Sequence, residues 1–235
     1  MELSIRLQMN VDLVPKGSSV ADIGCDHGYG AIYLAEEKKC ARVIAMDVKQ
    51  GPLDMAEKNI SRAGLSDIIE CRLSNGMEKL QPGEVDTLMI AGMGGMLVCQ
   101  ILQGKPEVLS KIETLVLQAQ SDVKELRKLL PKLGFRIDEE KMCKDAGKYY
   151  LAIRALRGVE ENPYTEAEYE FGRYLPAAKD SLYHTYVLQE KEKLEHIREQ
   201  LKKKKTKKAE ERIAEITHTL MEITQILEVY NGGTL

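Results

Sequence analysis

Short, largely apolar runs recur along the first two thirds of the chain, at 19–23, 42–46, 68–72, 87–90 and 114–117. Their length and near-continuous hydrophobicity predict strands buried on both faces. Between them, apolar positions return with the helical period at 31–37, 52–63, 96–103 and 123–133. Pro52 suits a first helical turn, and Gly64 and Gly134 suit the residue just past a helix end. A further helical stretch, roughly 3–14, precedes the first strand. Strands alternating with helices predict a parallel sheet covered on both faces. Runs at 135–142 and 149–155 are joined by a loop too short for a crossover, which predicts an antiparallel pair at one edge.

The pattern changes near Gly158. From Glu160 onward charged residues and helix formers dominate and no strand pattern remains. Ile213, Ile216, Leu220, Ile223, Leu227 and Tyr230 step by alternating threes and fours, an a/d seam. Tyr183, Val187, Leu194, Ile197 and Leu201 keep the same frame upstream, with Glu190 in one seam position. Between the seams lies Lys202-Lys203-Lys204-Lys205-Thr206-Lys207-Lys208, six positive charges in seven positions. The simplest arrangement is an antiparallel helical hairpin with a lysine-rich tip. A single long helix pairing with a second copy is the alternative.

Composition narrows the class without naming it. With 43% hydrophobic and 30% charged residues and a formal net charge of -3, the chain is an ordinary globular protein. Any nucleic-acid partner must therefore meet a local basic patch. Cys25, Cys40, Cys71, Cys99 and Cys143 are odd in number and form no Cys-x-x-Cys pair. Neither a disulfide framework nor a zinc site is expected, and a reducing, cytoplasmic setting fits. No signal-peptide core opens the chain, and the most apolar stretch, 87–102, is broken by Gly92, Gly94, Gly95 and Gln100, so no membrane span is expected.

The first strand runs into Asp22-Ile23-Gly24-Cys25-Asp26-His27-Gly28-Tyr29-Gly30. An acidic residue, glycine two later and glycine again at six is the glycine-rich opening of the S-adenosylmethionine-dependent methyltransferase fold. Gly24 lets the backbone turn tightly toward a ligand. The helix that begins near Gly28 directs its N–H groups at a crevice beyond the carboxyl ends of the strands. Asp47, with Val48 beside it, ends the second strand 25 residues after Asp22. A carboxylate there can accept both hydroxyls of a ribose. Asn75 follows the third strand, placed for an adenine edge, and Gly76 leaves room for the ring. A nicotinamide enzyme shares the strand–glycine–helix–acid outline but not the spacing. Counted from Gly24, the middle position of G-x-G-x-x-G is Asp26; counted from Gly28 and Gly30, the third is Tyr33. The closing antiparallel pair also belongs to methyltransferase sheets rather than to the plain dinucleotide fold.

The fourth strand empties into Ala91-Gly92-Met93-Gly94-Gly95, read as a loop of small residues where a flat base can approach the methyl donor. No Asn/Asp-Pro-Pro-Tyr/Phe run follows it, which argues against methylation of an exocyclic amine. These residues, with Asp22-Ile23-Gly24-x-Asp26-His27, Leu115-Val116-Leu117-Gln118, Lys148-x-Tyr150 and Leu3-Ser4-x-Arg6-Leu7, resemble the bacterial TrmK family. That resemblance implies a tRNA adenine-N1 methyltransferase acting on adenine 22, with S-adenosylmethionine as donor and a C-terminal coiled-coil domain. The chain departs from the family pattern at Gly28-Tyr29-Gly30-Ala31, at Ala119 and at Asn75.

The expected architecture is therefore α/β: a Rossmann-like class I methyltransferase sheet with helices on both faces over 1–158, then an antiparallel coiled-coil hairpin over 159–235. Expected cofactor contacts are Asp22, Gly24, Asp26, His27, Gly28, Asp47, Val48, Asn75, Gly76, Ala91, Gly92 and Met93. Asp26 either stabilises the methylated base or binds the cofactor's amino group. His27 shapes the base pocket or bonds the loop backbone, and Tyr29 stacks on the base or covers the crevice. Arg6 reaches a phosphate or pairs with a local carboxylate, Gly94 faces the substrate, and Tyr149 or Tyr150 supplies a second face. Lys202, Lys203, Lys204, Lys205, Lys207 and Lys208 either hold tRNA phosphates or form a solvated tip. The expected partner is tRNA, with no metal, acting on a monomeric enzyme. Alternatives are another RNA or a protein as acceptor, or a non-catalytic RNA-binding protein that retains the fold.

Overall fold

The computed structural model describes residues 3–204 and 206–232. It divides into two compact units, 1–160 and 161–235, two residues beyond the change in pattern at Gly158.

In the first unit, α1 (Ile5–Leu13) leads into β1 (Ser19–Ile23), α2 (Tyr29–Glu36), β2 (Arg42–Asp47), α3 (Gln50–Arg62) and β3 (Ile69–Leu73). Then come β4 (Thr87–Met93), α4 (Gly95–Gln103), the single turn α5 (Pro106–Leu109), β5 (Thr114–Ala119) and α6 (Val123–Leu129). The unit closes with β6 (Phe135–Asp145) and β7 (Lys148–Arg157). The seven strands lie in the order β3-β2-β1-β4-β5-β7-β6. β1 to β5 are parallel, and β7 runs antiparallel to both β5 and β6. Strand order therefore reverses between β1 and β4, where open α/β sheets bind their ligands. All six residues of β5 and residues 20–23 of β1 are buried, as expected for strands covered on both faces.

Several boundaries differ from the periodic pattern for identifiable reasons. Pro131 cannot continue a helix, so the 123–133 pattern splits into α6 and a 3-10 turn over Pro131–Leu133. Ala146 and Gly147 both adopt positive φ (46° and 80°), the backbone of a two-residue hairpin turn, and β6 and β7 pair right up to it. β4 runs on through Ala91-Gly92-Met93, which the sequence suggests is loop. It does so with a register irregularity between Ala91 and Met93, where Gly92 takes φ 80°. A buried ion pair ties α6 to β6: Arg127 donates from Nε and Nη2 to Glu140 Oε1, each at 2.8 Å.

The second unit contains two short helices with no clear periodic signal, α7 (Glu166–Phe171) and α8 (Tyr174–Ala177), before α9 (Ser181–Leu201) and α10 (Lys207–Tyr230). Thr165 and Glu168 form a capping box, and Asp180 and Thr206 cap α9 and α10. The His184 ring stacks on Tyr230 at 4.2 Å, so the start of α9 meets the end of α10 in an antiparallel hairpin. The buried stripe of α10 is Ile216, Leu220, Ile223 and Ile226, while Ile213, Leu227 and Tyr230 are only half-buried. α7 and α8 also pack on α10, which widens its apolar face beyond the a/d seam. Toward the tip, Leu194, Ile197 and Leu201 are half-buried, because two helices alone cover them.

Replacing Arg127 with Met removes the guanidinium from the buried Glu140 carboxylate. Urea unfolding should show a loss of about 3–5 kcal/mol, the usual cost of breaking a buried ion pair from one side.

Candidate active site at the carboxyl ends of the strands

The turn from β1 into α2 is tied to the end of β2. Gly24 N–H and Cys25 N–H both donate to the Met46 carbonyl, at 2.8 and 2.9 Å. Asp26 N–H donates to Asp47 Oδ2 at 3.3 Å, and Lys49 N–H to Asp47 Oδ1 at 2.8 Å. Asn59 of α3 donates to the His27 carbonyl at 3.0 Å. Holding these bonds together requires left-handed backbone at Gly24 (φ 81°), Asp26 (φ 52°) and Gly28 (φ 76°). Asp26 is the unusual member, since residues with a Cβ rarely adopt that region. At Gly28 a side chain is excluded as well, because a Cβ would lie 3.0 Å from that of Ala56. A Cβ on Gly24 would strike the Met93 methyl.

Two carboxylates frame this turn. Asp22 is 5% exposed and, among the described residues, its oxygens accept no hydrogen bond. Its pKa is pushed up from 3.8 to about 7, first because burial denies the charged form solvent and second because the Asp47 carboxylate repels it. Asp47 is half-buried, with its two backbone donors leaving acceptor capacity toward the cleft. Val48 beside it is 60% exposed, an apolar surface at the cleft rim.

The loop after β3 forms a second part of the cleft. Ser74 N–H donates to the Asp47 carbonyl at 2.9 Å, and Asn75 donates to Glu78 Oε1 at 2.8 Å. A concavity between this loop and α4 is lined by Asn75, Gly76, Leu97, Gln100 and Ile101. A Cβ on Gly76, which also lines this concavity, would face the Ile101 side chain at 3.1 Å. Gly94 sits at the N-cap of α4. Gly95, which carries no distinct signal in the sequence, is the more constrained, since a Cβ there would collide with the Ser121 and Asp122 carbonyls.

Asp26, His27 and Tyr29 come together on the rim. His27 Nε2 lies 3.6 Å from Asp26 Oδ1, with both side chains open to solvent. Tyr29, the first residue of α2, is 43% exposed, and its ring is 6.2 Å from His27. Arg6, Asp22, Gly24, Asp26, Tyr29 and Ala91 all line one cleft. The Arg6 guanidinium pairs with no carboxylate among the described residues; it donates from Nη1 to Gln118 Oε1 at 3.1 Å and lies 5.6 Å from the Tyr150 ring. Tyr150, not Tyr149, is therefore the residue brought to Arg6. Adjacent strand residues face opposite sides, and Tyr149 instead carries Lys144 over its ring at 4.8 Å.

Gln118 stands out in the sequence only as one member of a motif. The signal for a larger role is a long polar side chain in the apolar middle of a wholly buried strand, which must find partners inside. In the second unit, Lys202, Lys203, Lys204, Lys207 and Lys208 are exposed, and Lys202 meets Glu199 at 2.6 Å. Lys205 lies outside the described residues.

A sheet of this order, with a pinned glycine turn after β1 and a carboxylate ending β2, defines the class: a Rossmann-like methyltransferase domain. The chain belongs to the TrmK family, whose model, described as tRNA (adenine(22)-N(1))-methyltransferase, matches residues 20–225. A Bacillus subtilis tRNA (adenine(22)-N(1))-methyltransferase is 31% identical over 205 residues, 86% of each chain. A Streptococcus pneumoniae structure in complex with S-adenosyl-L-methionine superposes with a TM-score of 0.85 at 30% identity, over 96% of this chain and 100% of that one. M. capricolum TrmK bound to S-adenosyl-homocysteine superposes at 0.84 with 28% identity, over 98% and 100%. Among the described residues no helix is long and apolar enough to cross a membrane.

The Asp22 environment has a measurable consequence. Its carboxyl is neutral in the folded protein below pH about 7 but ionises near 3.8 when unfolded, so its contribution to stability is lost as pH rises through that window. Asp22→Asn should therefore gain stability relative to the native chain between pH 5 and 8. Unfolding midpoints measured across that range without ligand check this; a constant difference would refute it.

Proposed function

We propose that this chain transfers a methyl group from S-adenosylmethionine to N1 of adenine 22 in tRNA. The observation that carries the reading is the pair of carboxylates, Asp22 and Asp47, held around a glycine turn that a Cβ would fill. Among the described residues buried Asp22 accepts no hydrogen bond, which favours a cation beside it, and Asp47 offers acceptors to a diol. The concavity at Asn75, Leu97 and Ile101 suits a flat ring. The family relationship and the relatives' stated ligands agree with this.

When bound, S-adenosylmethionine supplies a sulfonium methyl open to in-line attack. The protein's task is then alignment, with the reacting atoms held at about 3–3.5 Å. Neutral adenine presents the N1 lone pair without prior deprotonation, so neither a strong base nor a metal is required. Base pairing would occupy N1, so the nucleotide must enter unpaired. Tyr29 and Tyr150 offer ring faces at the cleft, and Asp26 offers a carboxylate to the N6 amine and to the positive charge left on the product. His27 beside Asp26 biases that carboxylate's orientation.

The lysine tip is read as a phosphate-binding surface for a large substrate. Lys207 and Lys208 stand in the first turn of α10, where the helix dipole disfavours cations, so their placement is not explained by helix stability. The setting is the cytoplasm, where tRNA is found, and the working species is a monomer.

Transfer of label from methyl-labelled S-adenosylmethionine to unmodified tRNA transcripts, followed by nucleoside mass spectrometry, tests the reading. The expected product is 1-methyladenosine mapped to position 22; label at another nucleotide, or none, contradicts it. Changing Lys203, Lys204, Lys207 and Lys208 to Gln should weaken tRNA binding. Its salt dependence should flatten by roughly one unit of slope for each phosphate no longer neutralised. Affinity for S-adenosylmethionine should not change.

A further inference from the structure

The hairpin of β6 and β7 outruns the sheet that carries it. β5 pairs with β7 only from Thr114 opposite Leu156 to Leu117 opposite Ile153. Past that point residues 148–152 of β7 pair with 141–145 of β6, a two-stranded ribbon that heads beyond the carboxyl end of β5. Its tip stands at the wall of the cleft. Asp145 Oδ2 accepts the Arg6 N–H at 3.2 Å, and Arg6 lines that cleft with Asp26 and Tyr29.

The two faces of the ribbon differ. α1 packs on β6, where Cys143 and Ala152 are buried and Tyr150 rests against the same core. Cross-strand partners share a face, and the next pair along points the other way. Lys144 and Tyr149, paired next to Cys143 and Tyr150, therefore turn away from α1, in line with half-buried Met142 and Leu151. Lys144 is exposed, and its ammonium lies 4.8 Å from the centre of the Tyr149 ring. Lys148, also exposed, directly follows the Ala146-Gly147 turn. Neither lysine makes an ion pair among the described residues. The acids nearest them on the ribbon are engaged, Asp145 by the Arg6 N–H and Glu139 by Lys141 at 3.5 Å and Arg154 at 2.9 Å. In a chain of net charge -3, two uncompensated ammonium groups beside an aromatic ring form a local basic patch. That combination suits a single nucleic-acid strand, whose bases stack while its phosphates meet cations.

We propose that the ribbon tip binds the RNA strand flanking the target nucleotide, a base stacking on Tyr149 while Lys144 and Lys148 meet the adjoining phosphates. The inference rests on the tRNA reading and adds a contact on the first unit to the lysine tip of the second. It moves Tyr149 from the target-base pocket, where the sequence alone offered it, to a neighbouring base. An exposed cation–π contact is weaker than base–aromatic stacking, so an incoming base can displace the Lys144 ammonium onto a phosphate.

Binding of the full chain to an unmodified tRNA transcript tests the assignment, with affinity for S-adenosyl-homocysteine measured alongside by calorimetry. Tyr149→Ala should weaken tRNA binding by about ten-fold, the scale of one base–aromatic stack. Tyr149→Phe should stay within about two-fold of the native chain, since the ring face is kept. Lys144→Gln combined with Lys148→Gln should weaken binding at low salt and flatten its salt dependence by roughly one to two units of slope. Affinity for S-adenosyl-homocysteine should hold in all three, which shows that each variant is folded. Native-like tRNA affinity in both Tyr149→Ala and the lysine variant overturns the proposal. So does impaired methylation of a protein acceptor with tRNA binding intact, which assigns the ribbon to a protein partner. A native chain that binds no tRNA overturns the tRNA reading itself, and this proposal with it.

Discussion

The structure turns on three backbone amides, those of Gly24, Cys25 and Asp26, donating to the last two residues of β2. These bonds force the chain to leave β1 and double back through left-handed conformations before α2 can begin. They also bring Asp22 and Asp47 close enough for one carboxylate to raise the other's pKa. In an empty crevice two such neighbours are a liability, because burial and like charge both disfavour ionisation. A ligand bringing a positive charge and hydroxyl groups to the crevice would relieve both.

The rest of the first unit serves that turn. Strand order reverses between β1 and β4, so the crevice opens where no connection crosses it. β4 runs three residues further than the apolar pattern suggests, which sets Gly92 against Arg6 and Gln118. Gly95 lets α4 dock against the backbone at Ser121 and Asp122, closing the wall on the far side. Each of these approaches depends on a glycine for a different physical reason: positive φ at Gly92, backbone contact at Gly95, helix packing at Gly28.

Much of this is legible in the sequence. The apolar runs locate β1 through β5, and Asp22-x-Gly24 with Asp47 marks the crevice at the carboxyl ends of β1 and β2. The C-terminal hairpin follows from its two seams. What stays hidden depends on contacts between distant residues. Gly92 and Gly94 read locally as strand breakers, whereas pairing with β5 carries β4 through Gly92 as far as Met93. α7 and α8 are too short to display a period, yet they pack on α10, whose Ile226 is buried outside the a/d seam. The partnership of Arg6 with Gln118 spans 112 residues, and which of Tyr149 and Tyr150 faces it depends on the register of β7.

Hydrogen exchange at individual amides tests most directly whether the pinned turn is the ligand site. Adding S-adenosyl-homocysteine should slow exchange at residues 24–28 and 47–49 and in the loop at 74–76, while amides of α9 and α10 stay unchanged. Protection confined to other parts of the chain, with the turn after β1 unaffected, would contradict the account.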